Sequence, residues 1–487
     1  MSELCSLSYA GEKKNATVMK WMTEKREIDK MDLSENDKQI KGLCLGLGLI
    51  LLAAAFLSAA FWGGLEGLFE GWIRILISPC PLMTDYFQVG GVSGTFFNAA
   101  VCSLACLLIV VVSGAKATPS FLASYILVIA HCFYGMNFLN IWPCYIGVII
   151  YYCCRKKDFR QYLHVAMFTM AFGPLVSEVL LRYPVGNDFL PGEIQITFLG
   201  IFLTVVVGLA AGMILPGMLE GALWMHKGYN LYNGGLAFGL VGCFLYAFLY
   251  KTMGIESPGP IEANNRFYDG TGETTWLLAN GVFIAIFLAA LIAGVLLNGK
   301  GLKNYQNLMK ETGHFSNFAD KYGMPLCLIN MGIYGLMVLA YMNLVMLLTP
   351  GIAFTGPTVG AVFAAVTFFA VGQHPKNTWS IFLGYVVLFL FMALLCTLQG
   401  RELAWTLSAQ GYINGVAFAT GLAPIAGRYG WRWGVAAGIV SGAICTSTSA
   451  IHGGFMLFNG GFTAGITALI MVSVLEHHFP HMKVKGI

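Results

Sequence analysis

The sequence predicts an all-α polytopic integral membrane protein of about fourteen transmembrane helices. These form two inverted six-helix repeats with broken or re-entrant segments. Three observations lead there. The chain is 57% hydrophobic and only 11% charged, with a mean hydropathy of +0.71, which excludes an ordinary soluble domain. An unusual polar segment occurs twice. The first copy is His226-Lys227-Gly228-Tyr229-Asn230-Leu231-Tyr232-Asn233-Gly234-Gly235, with Gly239 beyond it. The second is His452-Gly453-Gly454-Phe455-Met456-Leu457-Phe458-Asn459-Gly460-Gly461, with Gly465 beyond it. Thirdly, corresponding apolar runs in the two halves lie an odd number of spans apart, which inverts one half relative to the other.

Residues 1–41 are polar, with Lys13, Lys14, Lys20, Lys25 and Arg26 balanced by Glu12, Glu24, Glu27 and Asp29. That is not the basic-then-apolar layout of a signal peptide, and it reads as a cytoplasmic tail. Residues 42–86 hold a first span over 42–62 and a short segment over 63–77. Glu66, Glu70 and Arg74 make the short segment amphipathic, and Ser78-Pro79-Cys80-Pro81 stops it, so an interfacial or re-entrant helix is expected.

The first repeat occupies 87–252, with spans near 94–113, 119–135, 140–154, 164–181, 196–216 and 232–250. Its basic loop, Arg155-Lys156-Lys157-Asp158-Phe159-Arg160, is cytoplasmic by the positive-inside rule. Residues 253–325 contain an acidic loop, expected outside, then a linking span over 276–297. A stretch with Lys300, Lys303, Lys310 and Lys321 follows and is expected inside. The second repeat, 326–476, has spans near 324–348, 354–371, 379–398, 411–426, 433–449 and 455–475. The tail, 477–487, falls on the cytoplasmic side. Both termini are thus expected in the cytoplasm of a cell with this multi-pass protein in its plasma membrane.

Further anchors support the duplication. Gly135, Asn140 and Trp142 match Gly372, Asn377 and Trp379, and Gly147 with Gly384 continues the register. Phe172-Gly173-Pro174 faces Leu422-Ala423-Pro424. Gly91-Val92-Ser93-Gly94 lines up with Gly332-Ile333-Tyr334-Gly335. The linking span makes the offset odd. Inverted repeats with interrupted helices are a recurring plan of secondary transporters, whose sites lie near the midplane between the halves.

The candidate pathway residues follow from that plan. Asn233 and Asn459 at helix breaks can line a polar path, and His226 and His452 can carry or gate protons. Gly234, Gly235, Gly460 and Gly461 free the backbone beside them, Glu220 approaches the first motif, and Gly91, Gly94, Gly332 and Gly335 mark the other breaks. The plainer alternative is that glycine permits close helix packing and asparagine caps a helix. The expected function is a permease or channel-like transporter for a small polar solute or ion, in contact with the lipid bilayer, with homo-oligomerisation left open.

Other classes find less support. The net charge of +4 is scattered, so nucleic acid is not an expected partner, and the 13 Cys show no paired CxxC spacing. No metal, cofactor or enzymatic activity is expected, there being no HExxH, GxSxG or P-loop. The alternative is a membrane-embedded redox subunit or enzyme, since Asp269-Gly270-Thr271-Gly272-Glu273-Thr274-Thr275 loosely matches sites of covalent flavin attachment. A turn leading into a helix explains the same residues.

With these motifs in hand, the duplicated region resembles a bacterial membrane family catalogued as domain of unknown function 1576, present in two tandem copies. That resemblance implies a duplicated membrane protein and no substrate. More distantly, the plan is similar to the urea transporters, whose inverted halves each open with an Asn-Pro-x-x-Gly-like break. Here Gly91–Gly94 and Gly332–Gly335 stand in that place without Asn-Pro. Gly411-Tyr412-Ile413-Asn414-Gly415 resembles that family's later Gly-Tyr-x-Asn-Gly turn.

Overall fold

The apolar runs fold into helices because an α-helix satisfies its own backbone polar groups where no water can. The computed structural model describes residues 34–259, 272–349 and 354–483, and these contain helices and no strand. Nine helices among the described residues are long and apolar enough to cross a membrane. This is a multi-pass helical membrane protein.

The first half follows a leading helix, α1 (Ser34–Ala59), which starts before the expected residue 42. It comprises α2 (Gly64–Leu76), α3 (Tyr86–Ser113), α4 (Pro119–His131) and α5 (Trp142–Cys154), then a broken helix α6 (Phe159–Arg182), α7 (Phe198–His226) and α8 (Asn233–Thr252). The second half comprises α9 (Glu273–Asn298), α10 (Met324–Leu348), α11 (Gly356–Ala365), α12 (Pro375–Leu398), α13 (Gln410–Ala419), α14 (Ala423–Tyr429), α15 (Trp431–Cys445) and α16 (Asn459–His478). Residues 1–33 of the N-terminal tail, most of the acidic loop and the last residues of the C-terminal tail lie outside the described residues, while residues 34–41 of the expected tail belong to α1.

Corresponding helices make corresponding contacts. Gly147 of α5 packs on Leu209 and Gly212 of α7, and Gly384 of α12 packs on Val435 and Gly438 of α15. Small residues at these points let backbones approach closely, which drives helix association in lipid.

Nine long helices stand where apolar runs alone predict about fourteen spans, because five runs (119–135, 140–154, 354–371, 411–426 and 433–449) form shorter helices, three of them broken for a physical reason. The runs at 119–135 and 354–371 are the half-length α4 and α11, and each ends in a buried turn. Asparagines make those turns tolerable. Asn98 Nδ2 donates to the Cys132 and Met136 carbonyls at 3.0 and 2.9 Å, and Asn330 Nδ2 donates to those of Phe369 and Gln373 at 2.8 and 2.7 Å. Buried carbonyls released from a helix need such partners. The run at 411–426 is likewise divided, at Thr420–Leu422, into α13 and α14.

The same hydrogen bonds correct one alignment. Because Asn98 and Asn330 do the same task, Gly91 corresponds to Gly323 rather than to Gly332. Both have left-handed φ values, +69° and +79°, where α3 kinks and where α10 starts. Gly332 and Gly335 instead lie against Leu291 and Phe287 of α9.

Candidate functional site

Each half breaks its chain at the repeated polar segment. After α7 the chain turns through Lys227 (φ +50°) and Gly228 (φ +76°), and α8 starts at Asn233. In the second half it turns through Gly453 (φ +62°) and Gly454 (φ +78°), and α16 starts at Asn459. In both places the histidine bonds the asparagine: His226 Nε2 donates to Asn233 Oδ1 at 2.9 Å and His452 Nε2 to Asn459 Oδ1 at 3.0 Å. Both imidazoles are fully buried, and neither Nδ1 has a hydrogen-bond partner. Asn233 Nδ2 also donates to the Leu219 carbonyl at 3.1 Å. The histidines therefore hold the asparagines in one orientation.

The two segments meet. A Cβ on Gly235 would strike the Gly461 backbone. Gly239 lies against Phe462, and Gly465 lies against Leu236, the residue that corresponds to Phe462. The extended stretches exchange backbone bonds too. Leu231 N–H donates to the Gly421 carbonyl at 2.9 Å, and its counterpart Leu457 N–H donates to the Ala171 carbonyl at 2.9 Å. Each break is thus completed by the broken helix of the other half.

Two cavities flank this crossing. One, of about 400 Å³, is lined by Asn233, Gly234, Gly235, Glu220 and His164 among others. The other, of about 230 Å³, is lined by Asn459, Gly460, Thr446, Asn414 and Gln410 among others. Asn233, Gly234, Glu220 and His164 correspond in turn to Asn459, Gly460, Thr446 and Asn414. Aromatic rings stand at equivalent places between them. Tyr232 packs on Phe418 with centroids 4.9 Å apart, and Phe458 on Phe168 at 6.3 Å. His164 also borders a third hollow, about 480 Å³, shared with Lys116 and Arg160.

The family described as protein of unknown function (DUF1576) matches residues 65–251 and 297–477. The chain belongs to the DUF1576 family. Its two matched regions follow the two halves, and both contain the repeated segment. No curated protein and no solved structure matches the chain.

Within this DUF1576 chain, Asn233, Gly234, Gly235 and Glu220 line the first cavity, and Asn459 and Gly460 the second. His226 and His452 stand behind their asparagines. Gly461 is at the crossing itself. Gly91, Gly94, Gly332 and Gly335 border neither cavity. Gly94 packs on Gly71 and Trp72, and the last two on α9. Residues 269–271 of the flavin-like loop lie outside the described residues, and Glu273 onward is the start of α9. Among the described residues no three His, Cys, Asp or Glu side chains gather as a metal site.

Several residues escaped sequence reading. His164 carries no motif, and its pairing with Asn414 needs the broken helices to be superimposed. Glu178, which the sequence offers as a weaker cation or proton site late in a span, instead forms a buried pair with Arg182, one helical turn on. Arg182 Nε reaches both carboxylate oxygens at 3.0 and 3.1 Å, and Tyr250 donates to Glu178 Oε1 at 2.8 Å. Their i,i+4 spacing was the signal available. At the opposite end of the molecule His314 accepts from Arg428 Nη1 through Nδ1 at 2.9 Å and donates through Nε2 to the Lys227 carbonyl at 2.8 Å. Its ring stacks on Tyr229, and burial holds its imidazole below the ordinary value of 6.5.

Proposed function

We propose that this protein is a permease or channel-like transporter for a small polar solute, with its path between two inverted repeats. It moves a solute rather than transforming one. The reading is supported by the direction in which equivalent helices meet. Along α8 from Gly235 to Gly242 and Tyr246, contacts step backward through the second half, from Gly461 to Met456 to Gly453. The half-length helices behave alike, with Gly360 of α11 at Ala130 and Gly356 at Phe133. For helices standing across a membrane, antiparallel counterparts suit an axis in the membrane plane, since an axis along the normal would leave them parallel.

The observation that carries the proposal is the pair of cavities at equivalent positions beside the two Asn-Gly-Gly turns. Inversion points one toward each face of the membrane. The first adjoins the hollow containing Lys116 and Arg160, next to the most basic loop, and so serves as the cytoplasmic vestibule in a plasma membrane with both termini inside. The second is the external one. Helix starts at Asn233 and Asn459 present the positive ends of their dipoles there.

The test is a solute screen by thermal shift on purified protein, followed by flux into liposomes. Asn233→Ala and Asn459→Ala are each expected to lower flux about tenfold, the worth of one well-placed hydrogen bond. Flux no greater than in empty liposomes for every solute tried would remove the proposal.

A further inference from the structure

The first cavity, of about 400 Å³, has the size of a small-molecule site, about 300–1,000 Å³. Six aromatic rings line it, those of Tyr152, Tyr162, Phe168, Tyr232, Phe368 and Phe458. They come in three pairs, drawn from both halves. Tyr152 of α5 stacks on Tyr162 of α6 with centroids 3.7 Å apart. Phe168 of α6 meets Phe458 edge to face at 6.3 Å, and Tyr232 meets Phe368 edge to face at 4.8 Å. Lys157 shows what such rings attract, since its Nζ lies 5.8 Å from the centroid of Tyr162.

Glu220 supplies the charge. Among the described residues of this lining it is the one Asp, Glu, Lys or Arg. It is exposed, and neither a hydrogen bond nor an ion pair joins it to a described residue. The helix start at Asn233 borders the same cavity, but its dipole is worth about half an elementary positive charge and leaves the lining net negative. Nor does that helix require the carboxylate. In the other half α16 starts in the same way beside Thr446, the residue that corresponds to Glu220. Of the basic side chains in the adjoining hollow, Arg160 is held by Asp158 through Nη2 at 2.8 Å, and Lys116 does not line this cavity.

Negative charge on an aromatic lining selects among solutes. An anion is repelled by Glu220, and a neutral solute leaves the carboxylate unused. A metal cation surrenders a tight hydration shell on meeting apolar walls. An alkylammonium ion is weakly hydrated, and its alkyl groups suit ring faces, which attract cations through their quadrupole. We propose that the first cavity binds a small organic cation of the alkylammonium class, with its charge toward Glu220 and its alkyl groups among the rings. Calling this ion the transported solute rests on the transport reading above, whereas its binding is measured by itself.

The experiment uses full-length protein in detergent at about pH 8, where an ordinary imidazole is neutral, and follows radiolabelled tetramethylammonium by equilibrium dialysis. Saturable binding is expected. Unlabelled tetramethylammonium should displace the label, while an equal concentration of potassium, or of neopentyl alcohol, a neutral molecule of nearly the same shape, should not. Glu220→Gln is expected to weaken binding at least tenfold. Phe168→Leu, which keeps an apolar side chain and removes one ring, is expected to weaken it about threefold. Both variants should keep the parent's elution profile and melting temperature within a few degrees. No saturable binding, equal displacement by neopentyl alcohol, or equal affinity in the parent and Glu220→Gln overturns the proposal. Flux into liposomes judges the transport reading separately. Flux of another solute without binding of tetramethylammonium overturns the proposal alone, and binding without flux of any solute supports this site and removes the transport reading.

Discussion

The molecule is fastened differently at its two ends, although the backbone is repeated. Glu178 and Arg428 occupy corresponding places, four residues after Pro174 and Pro424, and Tyr250 corresponds to Glu476. At the first end Glu178 is sealed from solvent with Arg182, their side chains 0% and 9% exposed, and Tyr250 completes the carboxylate's hydrogen bonds. At the second end charge is spread through a looser group. Lys227 pairs with Glu476 at side-chain exposures of 30% and 10%, Arg428 bridges His314 and the Met482 carbonyl, and Tyr229 meets Tyr429 through their hydroxyls at 3.0 Å. A dehydrated pair fixes its helix firmly because separating it strands a buried charge, whereas a hydrated network can exchange partners with water. The repeated scaffold thus carries one closure sealed from solvent and one more exposed, spread over several partners.

The largest effect should come from the sealed end. Glu178→Gln leaves the Arg182 guanidinium buried without its carboxylate, and a loss of about 3–5 kcal/mol is expected. Lys227→Met at the other end should cost less than Glu178→Gln, since the Lys227 side chain is itself 30% exposed. Thermal unfolding of both variants in the same detergent makes the comparison. Equal losses would show that the two closures are not energetically distinct.

A second contrast lies at the crossing of α8 and α16. The two glycines that meet there are equivalent in sequence but not in space. A Cβ on Gly235 would overlap the Gly461 carbonyl group. One on Gly461 would stand 3.2 Å from the Gly235 Cα and 3.3 Å from the Tyr232 Cβ, tight but accommodable by small shifts. Gly235→Ala should therefore cost about 1–3 kcal/mol through overpacking, and Gly461→Ala clearly less. Gly281→Ala in α9 meets nothing within 4 Å and should be neutral or stabilising by up to about 1 kcal/mol. A larger loss for Gly461→Ala than for Gly235→Ala would reverse the asymmetry.

What the sequence could reveal follows the same division. Apolar run length and the repeated Asn-Gly-Gly announced a duplicated membrane protein, because bilayer thickness and backbone satisfaction act locally. Helix breaks were harder. The runs at 119–135 and 354–371 look like spans, and only Asn98 and Asn330, distant in sequence, reveal that each ends in a buried turn. Glycine spacing misled at Gly332 and Gly335, since small residues recur wherever helices touch and carry no register by themselves. At the candidate site the asparagines stood inside a visible motif and Glu220 just before it. His164 stood outside it, being a single polar residue whose meaning depends on which rings surround it.

The smallest effect concerns pH, and it separates the ends by chemistry rather than by strength. The first closure contains Glu178, Arg182 and Tyr250 and no histidine. The second turns on His314, faced by the Arg428 guanidinium, the Lys227 carbonyl and the Tyr229 ring. Burial first, and Arg428 second, hold this imidazole below 6.5 in the folded protein. The unfolded or opened form then takes up a proton before the closed form does, so stability at this end is present above about pH 6.5 and declines as pH falls through that value. Protonation also removes the acceptor that Arg428 uses and sets two cations side by side. Hydrogen exchange, corrected for its intrinsic pH dependence, should accelerate between pH 7.5 and 5.5 around residues 227–232 and 312–316. Around 178–183 and 247–252 it should stay level. In His314→Gln, which cannot take up the proton, the difference should vanish; equal acceleration at both ends in the parent would assign the pH response to something other than this imidazole.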